Sequence, residues 1–367
     1  MPTEKKKSKP KLMELDFVRA VAIVAVVMIH ATADATVDPS LVSERSRMFY
    51  IAFNKLSNFA VPVFIFISGL VLFYRYLDDW NGRQVVQFYV KRVRQALIPY
   101  LIWSLFYYLY NQWLFERSTL HMDWREFADK SLWADTSYHL YFMIIIVQFY
   151  LLFPPLMSLS QAFPWFRKAL LPLGIGIQAA FYSYNHWVEP VDHAASLCVN
   201  YFSMFALGGM LGMHYEAFIR VLRRHIAWIL PLTAIFGCMF MAMYAFEGHI
   251  HFVIENTWYE ALFFIYAMFA GVSLIWLGRR LQNLPWIAKA MGALGAASFG
   301  IYFVHPAILS YFKVHVTNDT GTTLAYFGYI ASAFLLTLFL PWALTYVYGR
   351  AMRLLRPGKP KAAPQRA

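Results

Sequence analysis

Arg19 and His30 interrupt a stretch, Leu15 to Ala33, that is otherwise almost wholly apolar apart from Asp16. Ionisable groups inside an apolar span are costly, so each marks a candidate site. Eleven steps separate the two residues. At about 100° per residue this is three turns plus roughly 20°, which puts both side chains on one helix face about 16 Å apart. An imidazole that titrates near neutrality is suited to taking a hydroxyl proton. A guanidinium is suited to orienting a charged group or a nearby acid. Asp16, three residues before Arg19, falls near the same face and is expected to pair with it at the edge of the span. The plainer reading has Arg19 reaching lipid phosphate and His30 bonding a neighbouring helix; the shared face favours chemistry.

A second histidine, His305, precedes Pro306 in another apolar stretch and is a further catalytic candidate, with plain packing as the alternative. Ser298, Tyr302 and His305 follow an i, i+4, i+7 pattern and line one helix face. Pro306 frees a carbonyl one turn back, which can kink the helix and open a polar site. Further polar groups are Asn54 and Asn58, four apart and followed by Pro62 and Ser68-Gly69, and then His139, Tyr141 and Gln148. For these, bonding between helices and membership of a site both stand open. Gly208 and Gly212 form a GxxxG pair that predicts close helix packing. His249 and His251 lack a third ligand with zinc-like spacing, and no metal is expected. Cys198 and Cys238 both fall inside expected spans, so no disulfide is expected.

The elements that must hold these residues are membrane helices. Hydrophobic residues make up 60% of the 367 positions and charged residues 14%, far from the balance of a soluble domain. Apolar runs of the roughly 20 residues that cross a bilayer recur along almost the whole chain. The expected fold is all-α, a polytopic bundle of about ten transmembrane helices near 15–33, 50–74, 96–115, 138–160, 169–186, 195–214, 226–246, 257–277, 296–316 and 323–348. The basic stretch Lys5 to Lys11 precedes a retained first helix, with no small-residue cleavage site after it. Tails at 1–12 and 351–367 flank a membrane domain at 13–350.

Lys and Arg cluster in alternate loops, at 75–94, Arg167 and Lys168, Arg220, Arg223 and Arg224, Arg279 and Arg280, and in both tails. Asp34, Asp38, Glu44, Glu189, Asp192, Glu247, Glu255 and Asp319 fall in the others. The positive-inside bias then makes both termini cytoplasmic, in a multi-pass inner-membrane protein. The net charge of +12 is explained by this topology and by anionic lipid, without nucleic acid. In residues 83–94, Val85, Val86, Phe88, Tyr89, Val90 and Val93 alternate with Arg83, Lys91, Arg92 and Arg94, the pattern of an interfacial helix. Lys91 and Arg94, three apart, share a face and could hold a phosphorylated cytoplasmic ligand, with Arg92 between them as a third candidate.

Several stretches resemble the membrane-bound acyltransferase-3 family, which includes bacterial O-acetyltransferases of surface polysaccharide and lipopolysaccharide. They are Leu-Asp-Phe-Val-Arg at 15–19 with His30 beyond it, Val-Pro-Val-Phe-Ile-Phe-Ile-Ser-Gly at 61–69, Phe-Tyr-Val-Lys-Arg-Val-Arg-Gln-Ala-Leu-Ile-Pro-Tyr at 88–100, and Ser-Phe-Gly-Ile-Tyr-Phe-Val-His-Pro at 298–306. Tyr-His-Leu-Tyr-Phe at 138–142 adds a fifth, with Gln148-Phe-Tyr-Leu-Leu-Phe-Pro after it. The resemblance implies transfer of an acyl group, acetyl in the simplest case, from cytoplasmic acyl-CoA to a hydroxyl of an extracytoplasmic or lipid-linked glycan. By the same resemblance, Arg19 and His30 match the family's Arg-x10-His pair, with His30 as base, and Lys91 and Arg94 match its basic pair for coenzyme A. The family often has an acid where Gln148 stands, so no catalytic carboxylate is assigned there. No fused SGNH-type domain is expected, which makes this a stand-alone module. The donor is a substrate, and no permanently bound cofactor is expected. A transporter or flippase of polysaccharide or lipid-linked intermediates is the rival reading, with the same residues lining a pathway; internal repeats would favour it, and none is evident.

Overall fold

In hydrocarbon the backbone must satisfy its own hydrogen bonds within each segment, and long apolar runs therefore fold as helices. A computed structural model describes residues 9–38, 43–116, 120–247, 254–317 and 322–354, and among these there is no strand. The helices are α1 (Glu14–Val37), α2 (Glu44–Ser57), α3 (Ala60–Tyr76), α4 (Gly82–Arg92), α5 (Ile98–Asn111), α6 (Trp124–Trp133), α7 (Tyr141–Ala162), α8 (Pro164–Trp187), α9 (Phe202–Met213), α10 (Tyr215–Phe246), α11 (Asn256–Leu281), α12 (Pro285–His315) and α13 (Thr323–Leu354). His249 and His251 lie outside the described residues, as does most of each tail.

Seven stretches among the described residues are long and apolar enough to cross a membrane: α1, α2 with α3, α7, α10, α11, α12 and α13. The other expected spans fall on α5, α8 and α9, which do not meet both conditions. The second expected span is two helices, α2 and α3, joined by a turn at Asn58 and Phe59. Pro62 has no N–H to bond the Asn58 carbonyl, so the helix restarts there. α10 and α12 begin well before the expected boundaries at 226 and 296. Their first turns carry Arg220, Arg223, Arg224 and Lys289, polar positions that extend a helix past the hydrocarbon without adding to its apolar signal.

α4 and α5 form one continuous helical run, interrupted by a π-helical turn at Val93–Leu97. Proline at 99 sits just beyond that turn and withholds a backbone donor, a common cause of such a wide turn. α1 packs against α2, α3, α11, α12 and α13, so the helix carrying Arg19 and His30 is central to the bundle. A second packing centre lies where α3, α7 and α9 meet, with Phe66, Phe73, Phe149, Phe153 and Phe205 fully buried. Phe149 stacks on Phe205 at 4.2 Å between ring centroids.

α3 and α9 approach to backbone contact. A Cβ at Gly208 would strike the Phe66 carbonyl and the Leu70 amide, one at Gly212 the Leu70 carbonyl, and one at Gly69 the Phe205 carbonyl. Small residues permit this approach, and in lipid such packing replaces the hydrophobic drive that water supplies. Gly208→Leu is therefore expected to prevent assembly, because the obstructing atoms are backbone and cannot swing aside. Size-exclusion chromatography in detergent tests this: aggregate or no recovered protein is expected, and a monodisperse peak at the parent's position would refute the crossing.

Candidate active site

Near its N-terminal end α1 presents Arg19 to a cavity of about 300 Å³. Arg19 donates to Asp16 Oδ1 at 2.8 Å, and Lys11 bonds the other carboxylate oxygen at 2.5 Å. One acid shared between two cations leaves the region positive. Ser68 from α3, Arg92 and Tyr150, and Ser298 and Tyr302 from α12 complete the polar part of the lining. The Arg92 guanidinium lies over the rings of Tyr150 and Phe88, at 4.7 and 5.0 Å, and its buried Nε has no hydrogen-bond partner. Stacking holds this guanidinium in place without neutralising it.

The structure thus brings Arg92 to Arg19, whereas Lys91 and Arg94 are exposed and do not line the cavity. Partial desolvation, followed by the charges of Arg92 and Arg75, lowers Lys91 below the ordinary lysine value. These two residues form a basic rim on the surface helix, with Arg92 turned inward. Ser68 donates to the Phe64 carbonyl at 2.8 Å, which settles its hydroxyl proton within α3.

Eleven residues further along α1, His30 lines a second cavity of about 220 Å³ with Asn58, His139 and Tyr302. Here three imidazoles converge. The His30 ring centroid lies 5.4 Å from that of His305, and His139 lies 5.6 Å from His305. His305 is 0% exposed and His139 2%, while His30 is half-buried. His30 is therefore the most accessible of the three. It has no hydrogen-bond partner among the described residues; its ring rests beside Tyr138 at 4.8 Å. One turn beyond it, Asp34 pairs with Lys313 of α12 at 2.7 Å, tying the two histidine-bearing helices together. Among the described residues no three His, Cys, Asp or Glu side chains are arranged to hold a metal ion.

Pro306 explains the posture of His305. Lacking an N–H, it leaves the Tyr302 carbonyl unbonded, yet in lipid that carbonyl must find a donor. His305 Nδ1 supplies it at 2.8 Å, with the Ile301 carbonyl also in reach at 3.0 Å. A carbonyl can only accept, so the proton sits on Nδ1 and Nε2 keeps its lone pair. That Nε2 is buried and unpartnered beside His30 and His139. The next rung is bridged by Tyr107 of α5: its hydroxyl donates to the Phe303 carbonyl at 2.6 Å and accepts from the Ala307 amide at 3.2 Å. α12 runs unbroken from Pro285 to His315 as a result. Nothing in the sequence singles out Tyr107 except that a proline inside a membrane helix needs a donor from a neighbouring helix.

Tyr302 is locked as well, donating to the His139 carbonyl at 2.5 Å. Asn54 ties α2 to α1 beside His30, donating to the Ile29 carbonyl at 2.9 Å and to Thr32 at 3.1 Å, while Asn58 faces the cavity. Gln148 lies elsewhere and its amide is spent on structure. It donates to the Ser196 carbonyl and accepts from the Cys198 amide, both at 2.8 Å, bracing the segment before α9. At the Arg19 end, Glu14 is 3% exposed, bonded to Tyr215 and paired with Arg279 at 2.8 Å, which anchors α1 to α10 and α11.

The bundle thus carries an arginine-lined cavity and a histidine-lined cavity along one helix, α1. The sequence profile of the Acyltransferase domain matches residues 13–346, and the chain belongs to that family, the membrane-bound acyltransferase-3 group. Among curated proteins it is similar to a Staphylococcus epidermidis protein named "Probable poly-beta-1,6-N-acetyl-D-glucosamine export protein". The two are 25% identical over 315 residues, covering 82% of each chain. A Staphylococcus aureus (strain MSSA476) protein of the same name is 24% identical over 309 residues, covering 81% of this chain and 82% of the relative. No solved structure matches the chain significantly.

Proposed function

We propose that this protein, a multi-pass protein of the cytoplasmic membrane with both ends inward, moves an acyl group, acetyl in the simplest case, from cytoplasmic acyl-CoA to a hydroxyl of an extracytoplasmic or lipid-linked glycan. The observation that carries this reading is the presence of two cavities along α1, one lined by Arg19 and Arg92 and the other by His30 and His139. Acyl-CoA is a polyanion confined to the cytoplasm, so a donor site needs cations at that side. The acceptor needs a base at the other.

His30 removes the hydroxyl proton as the acceptor oxygen attacks the thioester carbonyl. The C–O bond forms and the C–S bond breaks. The protonated imidazole then returns its proton to the leaving thiolate, giving the ester and free CoA thiol. Arg19, held by Asp16, orients the donor, with Arg92 as a second anchor and Lys91 and Arg94 meeting its outer phosphates. His305 presents its free Nε2 to the same cluster and keeps it polar.

Export of a polysaccharide is the second reading, favoured by the printed names of the staphylococcal relatives. Labelled acetyl-CoA supplied outside inside-out vesicles that carry the protein separates the two. Label on glycan is expected. No label above vesicles lacking the protein, together with movement of glycan across the membrane, would support export and overturn the transferase reading.

A further inference from the structure

The arginine cavity and the histidine cavity share three lining residues, Phe64, Phe142 and Tyr302. They come from three helices, α3, α7 and α12. The Phe142 ring lies 5.9 Å from that of Phe64 and 5.5 Å from that of Tyr302, which makes it the middle member of a partition between the two spaces. The three rings are not equally fixed. Tyr302 is bonded through its hydroxyl to the His139 carbonyl and through its own carbonyl to His305. Phe64 and Phe142 are half-buried and touch the partition through ring contacts alone, so they can turn while Tyr302 stays.

Resting on the acyl-transfer reading above, we infer that Phe64, Phe142 and Tyr302 form an acyl-size filter that admits a short acyl group from the arginine cavity to His30 and holds back longer chains. A thioester carbonyl that is to meet an oxygen activated at His30 must pass or lie between these rings. Beside the partition the wall of the arginine cavity is apolar and buried, made by Ile67, Met143 and Ile146. An extra methylene in such a site has no free volume to enter, and pockets of this kind discriminate by about tenfold or more per methylene. The choice of acyl group is thus made at Phe142, midway between the two cavities, and not at the arginines, which meet parts of the donor common to every acyl-CoA.

The test uses inside-out vesicles carrying the full chain, labelled acetyl-, butyryl- and hexanoyl-CoA as probes, and transfer to the host's own glycan as readout. Phe142→Ala is expected to raise the hexanoyl-to-acetyl transfer ratio by about tenfold or more. Phe142→Trp should lower the butyryl-to-acetyl ratio by a similar factor, and Phe64→Leu gives a second opening variant should Phe142→Ala fail to assemble. Acetyl transfer by the parent with ratios unchanged within about twofold in all assembled variants would overturn the filter and leave acyl transfer standing. Failure of the parent to transfer any of the three probes would remove the acyl-transfer reading, and the filter with it.

Discussion

His30→Ala is expected to lower the initial rate of acyl transfer by about two to four orders of magnitude, the usual contribution of a positioned general base. The expectation is specific to this histidine. His30 is half-buried, lines the histidine cavity and has no hydrogen-bond partner among the described residues, whereas His139 and His305 are shielded and bonded at Nδ1. The His30 ring makes no hydrogen bond among the described residues and lines a cavity, so its removal costs only ring contacts and the variant should keep a melting temperature close to the parent's in detergent. His305→Ala is different in kind, since it strips the Tyr302 carbonyl of its donor and should destabilise the protein as well as slow it. A His30→Ala enzyme as fast as the parent within about twofold would show that the base lies elsewhere.

Arg92→Ala should raise the KM for acetyl-CoA by about ten- to a hundredfold and leave kcat within a few-fold. A charged hydrogen bond contributes about 1.5–3 kcal/mol, and 1.4 kcal/mol corresponds to a factor of ten in affinity. Arg92 is the arginine that α4 turns into the arginine-lined cavity, with its Nε unpartnered and its guanidinium over the Tyr150 ring. Lys91→Ala and Arg94→Ala remove exposed charges that water and salt screen, so each should shift KM by less than about threefold, and less still at high salt. Steady-state kinetics at two ionic strengths separates these cases. Equal effects at all three positions would mean that the donor binds along the outer surface of α4 and not within the cavity.

Much of this site could be read from the chain because helical periodicity is a local property. The spacing of Arg19 and His30 fixes a shared face on α1, and the i, i+4, i+7 pattern puts Ser298, Tyr302 and His305 along one side of α12, where Ser298 lines the arginine cavity, Tyr302 lines both cavities and His305 is buried beside His30. What was not legible depends on contacts between helices. His139 can be read from the sequence as helix glue or as a site member, because the turn before α7 that carries it meets Tyr302 and His305 only in the folded bundle. Phe64 and Phe142 are two of 33 phenylalanines, and composition gives no means of choosing them. The sequence groups Arg92 with Lys91 and Arg94 on one interfacial helix, and the structure turns Arg92 inward just before the π-helical turn at Val93–Leu97. Hydropathy alone likewise does not fix the number of crossings, because α5, α8 and α9 do not meet both conditions for a span yet pack within the bundle.

The proline in α12 does more than bend or interrupt. By withholding one amide hydrogen it obliges the neighbouring imidazole to commit its Nδ1 proton to the backbone, and that commitment leaves the opposite nitrogen bare toward the other two rings. The tautomer of His305 is therefore written into the covalent chain as a two-residue word, His-Pro, and does not have to be chosen anew by solvent.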